Sequence, residues 1–206
     1  MKKLKLLAAF AAVFAFATPA FSIVQLGVQG NYTSDKFSSG TTYSGVGFGS
    51  FARFTVGIPL LITFGAGPYL DYGSLSGGPS GSPDTKQLRV GGEVVVYADI
   101  IGNVLGVTPY AGFGFGYEGN TVKTTYTVSG TAATATSDAL YYGTGGHTLF
   151  GLTMKVLPLV YVFAEGGVQW SSLSPSLPSE LKNAGVTASD LTTSGWRMSI
   201  GAMIWL

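Results

Sequence analysis

Bulky apolar side chains alternate with small or polar ones along the segment Thr108–Glu118. Phe113, Phe115 and Tyr117 occupy every second position, with glycine or polar residues between them. Since a strand directs alternate side chains to opposite faces, this segment predicts a strand with one apolar face and one small or polar face. A face with so little side-chain volume is typical of a strand that lines a narrow, crowded interior.

The same alternation recurs in seven further segments of the chain. The eight predicted strands are Ile23–Tyr32, Gly45–Ile58, Leu61–Gly73, Gln87–Ala98, Thr108–Glu118, Tyr142–Val156, Leu159–Trp170 and Gly195–Leu206. Short turns are predicted at Pro59-Leu60, Asp99–Leu105 and Leu157-Pro158, and long polar loops at Thr33–Ser44, Ser74–Lys86, Asn120–Tyr141 and Ser171–Ser194. The third loop could partly extend its flanking strands as a hairpin. Strict alternation of short and long connections predicts an antiparallel up-and-down barrel with both ends of the chain on one side.

Pro68 interrupts the third predicted strand, Leu61–Gly73. Proline lacks the backbone N–H that a sheet ladder needs. We therefore expect a bulge or an early end to pairing at Pro68.

Aromatic side chains fall at one height of the predicted barrel, facing outward at the end with the long loops. They are Tyr32, Phe48, Tyr72, Tyr117, Trp170 and Trp196. Such a ring is typical of the girdle at a membrane interface. The opposite girdle is weaker, with Leu60, Leu157 and the Trp205-Leu206 end. Since a bilayer requires all backbone polar groups to be paired internally, we predict an eight-stranded transmembrane β-barrel, with a soluble secreted barrel as the alternative.

The first 22 residues are typical of a secretory signal peptide. Lys2, Lys3 and Lys5 form a positive start, an apolar run follows from Leu6 to Ala17, and small residues come next. We expect cleavage after Ser22, or alternatively after Ala20. An uncleaved anchor helix is the other interpretation, but the apolar run is shorter than the roughly 20 residues that a span needs. The predicted domains are a signal peptide over 1–22 and a barrel over 23–206.

Composition narrows the possible chemistry. Only 10% of residues are charged, 31 are glycine, and the mean hydropathy is +0.37. The absence of cysteine excludes disulfides and thiolate metal sites, and the single histidine excludes multi-histidine clusters. A net charge of +1 without a basic patch argues against nucleic-acid binding. We expect no cofactor and no metal.

Charged side chains also occur in the predicted inward register, where an eight-stranded barrel has room only for packed side chains. Asp71 and Glu118 are among them, and a lumen ion-pair network is predicted from Arg53, Arg89, Glu93, Glu165, Lys155 and Arg197. Such charges must pair with one another, because an unpaired buried charge is very costly. The network could plug the lumen or line a selective polar pore.

Several segments together resemble the small eight-stranded outer-membrane proteins of the OmpA/OmpX/OmpW-like superfamily. They are Gln25–Tyr32, Thr108–Tyr117, Val162–Trp170 and the final strand ending Ile204-Trp205-Leu206. The resemblance implies a bacterial outer-membrane location, contact with outer-membrane lipids and insertion by the barrel-assembly machinery. Those families usually end in phenylalanine, whereas this chain ends in leucine.

Three functions are consistent with these patterns. The first is a monomeric structural or surface-interaction protein that meets an extracellular ligand through its four long loops. The second is a narrow channel for small or hydrophobic solutes, as the resemblance to OmpW-like proteins implies. The third and most remote is a lipid-modifying enzyme. It would depend on His147, which is followed by Thr148 and has no serine two residues on. The chain is therefore predicted not to be an enzyme.

Overall fold

The computed structural model describes residues 23–58, 61–77, 85–127, 134–177, 179, 182 and 188–206. The side chains of residues 23 and 123–137 are outside this description. The predicted signal peptide and the Pro59-Leu60 turn also lie outside the described residues. The strands are β1 (Ile23–Phe37), β2 (Thr42–Ile58), β3 (Ile62–Gly77), β4 (Thr85–Tyr97), β5 (Val107–Thr127), β6 (Thr134–Lys155), β7 (Val160–Ser176) and β8 (Leu191–Trp205).

The eight strands form one closed barrel in which each strand pairs antiparallel with the next. The first and last strands complete the circle through a ladder that runs from Gln25 opposite Trp205 to Phe37 opposite Thr193. At the end of this seam, the backbone N–H of Leu206 donates to the carbonyl of Val24 at 3.0 Å. The predicted fold class is therefore confirmed. In the part of the chain that is described, no helix has both the length and the apolar character needed to cross a membrane.

The strands run further toward the loop end, which is the end of the barrel opposite the short turns, than the sequence pattern indicated. The prediction of a long loop over Thr33–Ser44 is wrong, because the β1–β2 ladder continues to Lys36 opposite Thr42. Above the aromatic ring the outward residues become polar, so the apolar half of the alternation ends although the strand does not. Inward residues such as Asp35 and Phe37 continue the pattern and are buried.

Strands β5 and β6 are the longest in the barrel, and the predicted hairpin extension of Asn120–Tyr141 is confirmed. Their ladder reaches Thr127 opposite Thr134. The ladder between β4 and β5 ends with Thr85 opposite Val122. The ladder between β6 and β7 ends with Leu140 opposite Ser176. Beyond these pairs, and as far as the described residues are concerned, residues 123–127 and 134–139 pair only with each other, so they form a two-stranded hairpin that extends past the neighbouring ladders.

A short helix, α1 (Asp99–Leu105), replaces the turn predicted between β4 and β5. Gly106 ends it in the left-handed conformation, with φ of 74°, and donates its N–H to the carbonyl of Gly102 at 2.8 Å. Glycine is favoured there because a side chain with a Cβ is strained at such a backbone angle.

Pro68 does not produce the predicted bulge. Phe51 pairs with Tyr69 and Phe54 pairs with Ala66, so the β2–β3 register is the same on both sides of the proline. The β3–β4 ladder is continuous and places Pro68 opposite Gly92. The missing N–H therefore only interrupts pairing with β2 locally.

The outer surface of the barrel is an apolar belt. Phe48, Phe150 and Ile200 are 62%, 66% and 71% exposed, and most of the other large apolar side chains that are exposed are valine, leucine or isoleucine. A continuous exposed surface of this kind is unsuited to water and matches the lipid-facing band of a membrane barrel. The alternative of a soluble barrel is therefore not supported.

Candidate functional site: a filled lumen

Two apolar clusters occupy the lumen on either side of a polar middle. The turn-end cluster, near the short turns, consists of Phe51, Tyr69, Val95, Tyr97, Tyr110, Leu149, Phe163 and Met203, with Tyr161 and Trp205 packed against it. The loop-end cluster consists of Phe37, Tyr43 and Leu75, with Val122 and Leu191 beside it. Trp205 therefore belongs to the interior, where its ring packs at a tilt against the rings of Tyr97 and Tyr161, and it is not part of an outer girdle.

Inward glycines make room for bulky side chains on the neighbouring strand. Tyr110 pairs directly with Gly151, and a Cβ at Gly151 would overlap the tyrosine ring. Gly114 pairs in the same way with His147, whose ring lies across the glycine. The sequence alone left open whether these glycines create empty space or admit large side chains. At these positions they admit large side chains.

The first ionic group of the polar middle is the pair Arg53 and Glu93. The Nε and Nη2 atoms of Arg53 both lie 2.8 Å from Glu93 Oε1. Arg53 also donates from Nη1 to the Tyr97 hydroxyl at 2.9 Å, and that hydroxyl donates to Gln25. Through Tyr97, this group connects the turn-end cluster to the rest of the polar middle.

Arg197 is the centre of the second group. Its Nη1 and Nη2 atoms lie 2.8 Å from Asp71 and 2.8 Å from Glu165. Tyr110 donates its hydroxyl to Glu165 at 2.9 Å. Asn31 donates to the other oxygen of Asp71 at 2.9 Å, so each carboxylate also has a neutral donor.

Arg89 forms the third group with Glu118 at 2.8 Å and Asp35 at 3.3 Å. Gln169 accepts a hydrogen bond from Arg89 and donates to Asp35 at 2.6 Å. Gln87 donates to both carboxylates at 3.0 Å. Asp35 was missed because it lies in the predicted loop, although its inward register was a usable signal.

The structure brings together five of the six residues predicted for the network: Arg53, Arg89, Glu93, Glu165 and Arg197. The inclusion of Lys155 is wrong. This residue ends β6 at the turn end, where its side chain is exposed and its ammonium lies 5.9 Å from the centre of the Tyr161 ring. A lysine at the rim keeps its charge in water and does not need a buried partner.

The polar middle has little free volume. The cavity between Asn31, Asp71, Arg89 and Arg197 measures about 10 Å³, which is room for roughly one water molecule. Three guanidinium groups face five carboxylates there, and every one of these carboxylates contacts an arginine. In the described part of the lumen, the side chains thus form a plug of ion pairs between two apolar clusters.

His147 lies inside this plug and not at the rim. It is 1% exposed, its Nε2 is 3.6 Å from Glu93, and the edge of its ring meets Tyr69 with centroids 4.9 Å apart. The 3.6 Å separation is longer than a direct hydrogen bond. A residue at this depth is far from the lipid that a lipid-modifying enzyme would act on. Within the described ranges, no three His, Asp or Glu side chains are grouped so that they could hold a metal ion.

The predicted interface aromatics all face outward, and each of them is exposed. Tyr32 packs at a tilt against Trp196, and Phe48 does so against Tyr72, with ring centroids 5.5 Å apart in each pair. Tyr117 is 70% exposed, and the ring centroids of Trp170 and Phe113 are 6.0 Å apart. These positions mark the boundary between the apolar belt and the polar loop end.

Solved structures share this architecture. Neisserial surface protein A has a TM-score of 0.55 and is 18% identical, with 88% of this chain and 96% of that chain covered. A major outer membrane protein from Thermus thermophilus has a TM-score of 0.50 and is 12% identical, with 89% and 99% covered. No protein-family model and no curated protein matches the sequence. Together with the apolar belt, these similarities show that the chain has the fold of the small eight-stranded outer-membrane β-barrels.

Proposed function

We propose that this chain is a closed, non-catalytic outer-membrane barrel with a structural or surface-interaction role. The observation that carries the proposal is the filled lumen: ion pairs occupy its middle and apolar clusters lie toward both ends. Because the interior of the barrel is filled in this way, the proposed function does not involve the lumen. The functional surfaces are then those that contact lipid and those that face the outside of the cell.

The projecting β5–β6 hairpin is the best candidate for an external contact. β5 continues from Tyr117 to Thr127, which is roughly 33 Å of strand above the aromatic ring. Among the described strands, the backbone edges of residues 123–127 and 134–139 have no neighbour other than each other. Free strand edges can accept an additional strand from a partner, which makes an extended segment of an extracellular protein a suitable ligand.

Other partners follow from the same proposal. The apolar belt would contact outer-membrane lipids, and insertion would require the barrel-assembly machinery. The chain would act as a monomer, since the described strands close into a barrel without a second copy. No nucleic acid takes part.

Conductance in a planar bilayer tests whether the lumen is closed. The refolded mature chain, shown to be folded by its heat-dependent gel shift, is expected to give no discrete current steps. Steps that are abolished by Glu93→Gln or Glu165→Gln, but retained in the control Asp138→Asn, would overturn the proposal. The control removes a carboxylate from the exposed hairpin and leaves the lumen unchanged.

Cysteine labelling on intact cells tests whether the hairpin is displayed outside. The chain has no native cysteine, so each introduced thiol is unique. Asp138→Cys in the hairpin should react with a membrane-impermeant maleimide. Lys155→Cys at the turn end should react only after the outer membrane is permeabilised. The reverse pattern would contradict the proposed orientation.

A narrow conducting path is the second candidate. Several buried polar atoms in the lumen have no partner within the described part of the protein, including Gln25 Nε2, Gln29 Oε1, Asn31 Oδ1, Arg197 Nε and Asn120 Oδ1. Buried polar atoms of this kind are usually satisfied by internal water. A connected row of such waters would favour passage of small solutes, and the conductance experiment distinguishes it from the closed barrel.

A further inference from the structure

Helix α1 is amphipathic, but its apolar side faces away from the barrel. Ile100, Ile101, Val104 and Leu105 lie within one arc of the helix, and Val104 and Leu105 are 79% and 69% exposed. Helices on the surface of a protein in water normally place this side against the core. None of the residues of α1 is buried.

The opposite side of α1 is the one that contacts the barrel. Thr63 donates its hydroxyl to the Asp99 carboxylate at 2.6 Å, and Gly102 lies so close to Thr108 that a Cβ there would overlap the threonine hydroxyl. The backbone N–H of Ile100 donates to the carbonyl of Leu61 at 3.1 Å. These contacts fix the helix between the starts of β3 and β5, so the outward direction of its apolar side is built in.

The apolar side of α1 adjoins other exposed apolar residues at the turn end. Leu61, hydrogen-bonded to α1, is 49% exposed. On β4, the lipid-facing Val96 lies three residues before the helix begins. Exposed apolar side chains continue around the same end at Ile58, Val156, Leu157, Leu159 and Leu206. The apolar side of α1 is therefore continuous with the belt that faces the membrane.

We propose that α1 is a membrane-interface anchor whose apolar side inserts among the acyl chains of the leaflet at the turn end. Interfacial helices of this type bury one side to the depth of the headgroup–acyl boundary and keep the other side polar. The aromatic ring marks the membrane boundary at the loop end, whereas at the turn end Trp205 is turned into the lumen. Helix α1 and its aliphatic neighbours form the second boundary. This holds whether or not the lumen conducts.

Dye-labelled single-cysteine variants in vesicles of phosphatidylethanolamine and phosphatidylglycerol test the anchor. Val104→Cys and Leu105→Cys carry a polarity-sensitive fluorophore on the apolar side, and Asn103→Cys is the matched control on the other side of the same helix. All three positions are exposed, and the gel shift checks that each variant is folded. The dyes at 104 and 105 should emit at shorter wavelength and be quenched several-fold more by nitroxide-labelled phospholipids than the dye at 103.

Equal, water-like emission and weak quenching at all three positions would overturn the anchor. Blue-shifted emission at 104 without lipid quenching, accompanied by disulfide-linked dimers of Val104→Cys, would instead indicate that a second copy covers this side. That outcome would also overturn the proposal.

Discussion

The turn-end cluster and the polar middle fill the same lumen by different means. In the cluster, contacts such as that between Phe51 and Phe163, with ring centroids 5.6 Å apart, need only the right volume. In the polar middle, Arg197 must reach both Asp71 and Glu165, and each of these carboxylates relies on Arg197 to balance its charge. Volume can be conserved by many substitutions, whereas a buried ion-pair network tolerates very few. The two regions should therefore differ sharply in their response to mutation.

The largest effect is expected from Arg197→Met, which keeps much of the side-chain volume and removes the charge. Two buried carboxylates lose their guanidinium partner, so the free energy of unfolding should fall by about 3–5 kcal/mol. Urea unfolding in lipid vesicles, followed by tryptophan fluorescence, measures this change.

Two controls define the comparison. Met203→Leu in the turn-end cluster conserves volume and should cost less than about 1.5 kcal/mol. Lys155→Met, at an exposed position outside the network, should change stability by no more than about 0.5 kcal/mol. If Arg197→Met lowered the free energy of unfolding no more than Met203→Leu does, the ion pairs of the polar middle would not stabilise the barrel.

A smaller effect is expected from Gly114→Ala. The added Cβ overlaps the His147 ring, and Tyr69 and Glu93 restrict the space into which that ring can move. Overpacking of this kind costs about 1–3 kcal/mol. Gly30→Ala, where an added Cβ meets nothing within 4 Å, is the matched control and should leave stability unchanged. Both variants can be compared by the temperature of their gel shift.

The double variant Gly114→Ala/His147→Ala isolates the overlap itself. Without the ring, the added Cβ at position 114 meets no overlap. Gly114→Ala should therefore cost much less stability in the His147→Ala background than in the wild type. Additive losses in this cycle would mean that the glycine is needed for a reason other than room for the histidine.

Alternation predicted the barrel and most of its interior because the two faces of each strand meet different surroundings. The inward register of Arg53, Glu93 and Arg197 is a direct result of this alternation. The prediction from alternation failed where the surroundings of the outward face change from lipid to water. Outward residues near Asp35 are polar because they lie above the apolar belt, so the end of the apolar pattern did not mark the end of the strand.

The partners within the network could not be predicted from register alone. Arg197 and Asp71 lie on strands that are not neighbours, and they meet only because the lumen is narrow. Lys155 shares the inward register but sits at the open rim, which alternation does not distinguish from the interior. The helical form of Asp99–Leu105 also depends on contacts with Thr63 and Leu61 that are distant in sequence.

The seam between β1 and β8 has a consequence for how the barrel forms. It joins residues that are far apart in the sequence, such as Val24 and Leu206, so its contacts require closure of a longer loop than any other ladder of the barrel does. Until the seam forms, the edges of β1 and β8 are unpaired, and open edges of this kind promote aggregation. Folding dominated by such distant pairing is slow. The barrel is therefore expected to assemble cooperatively, with the seam forming among its last steps.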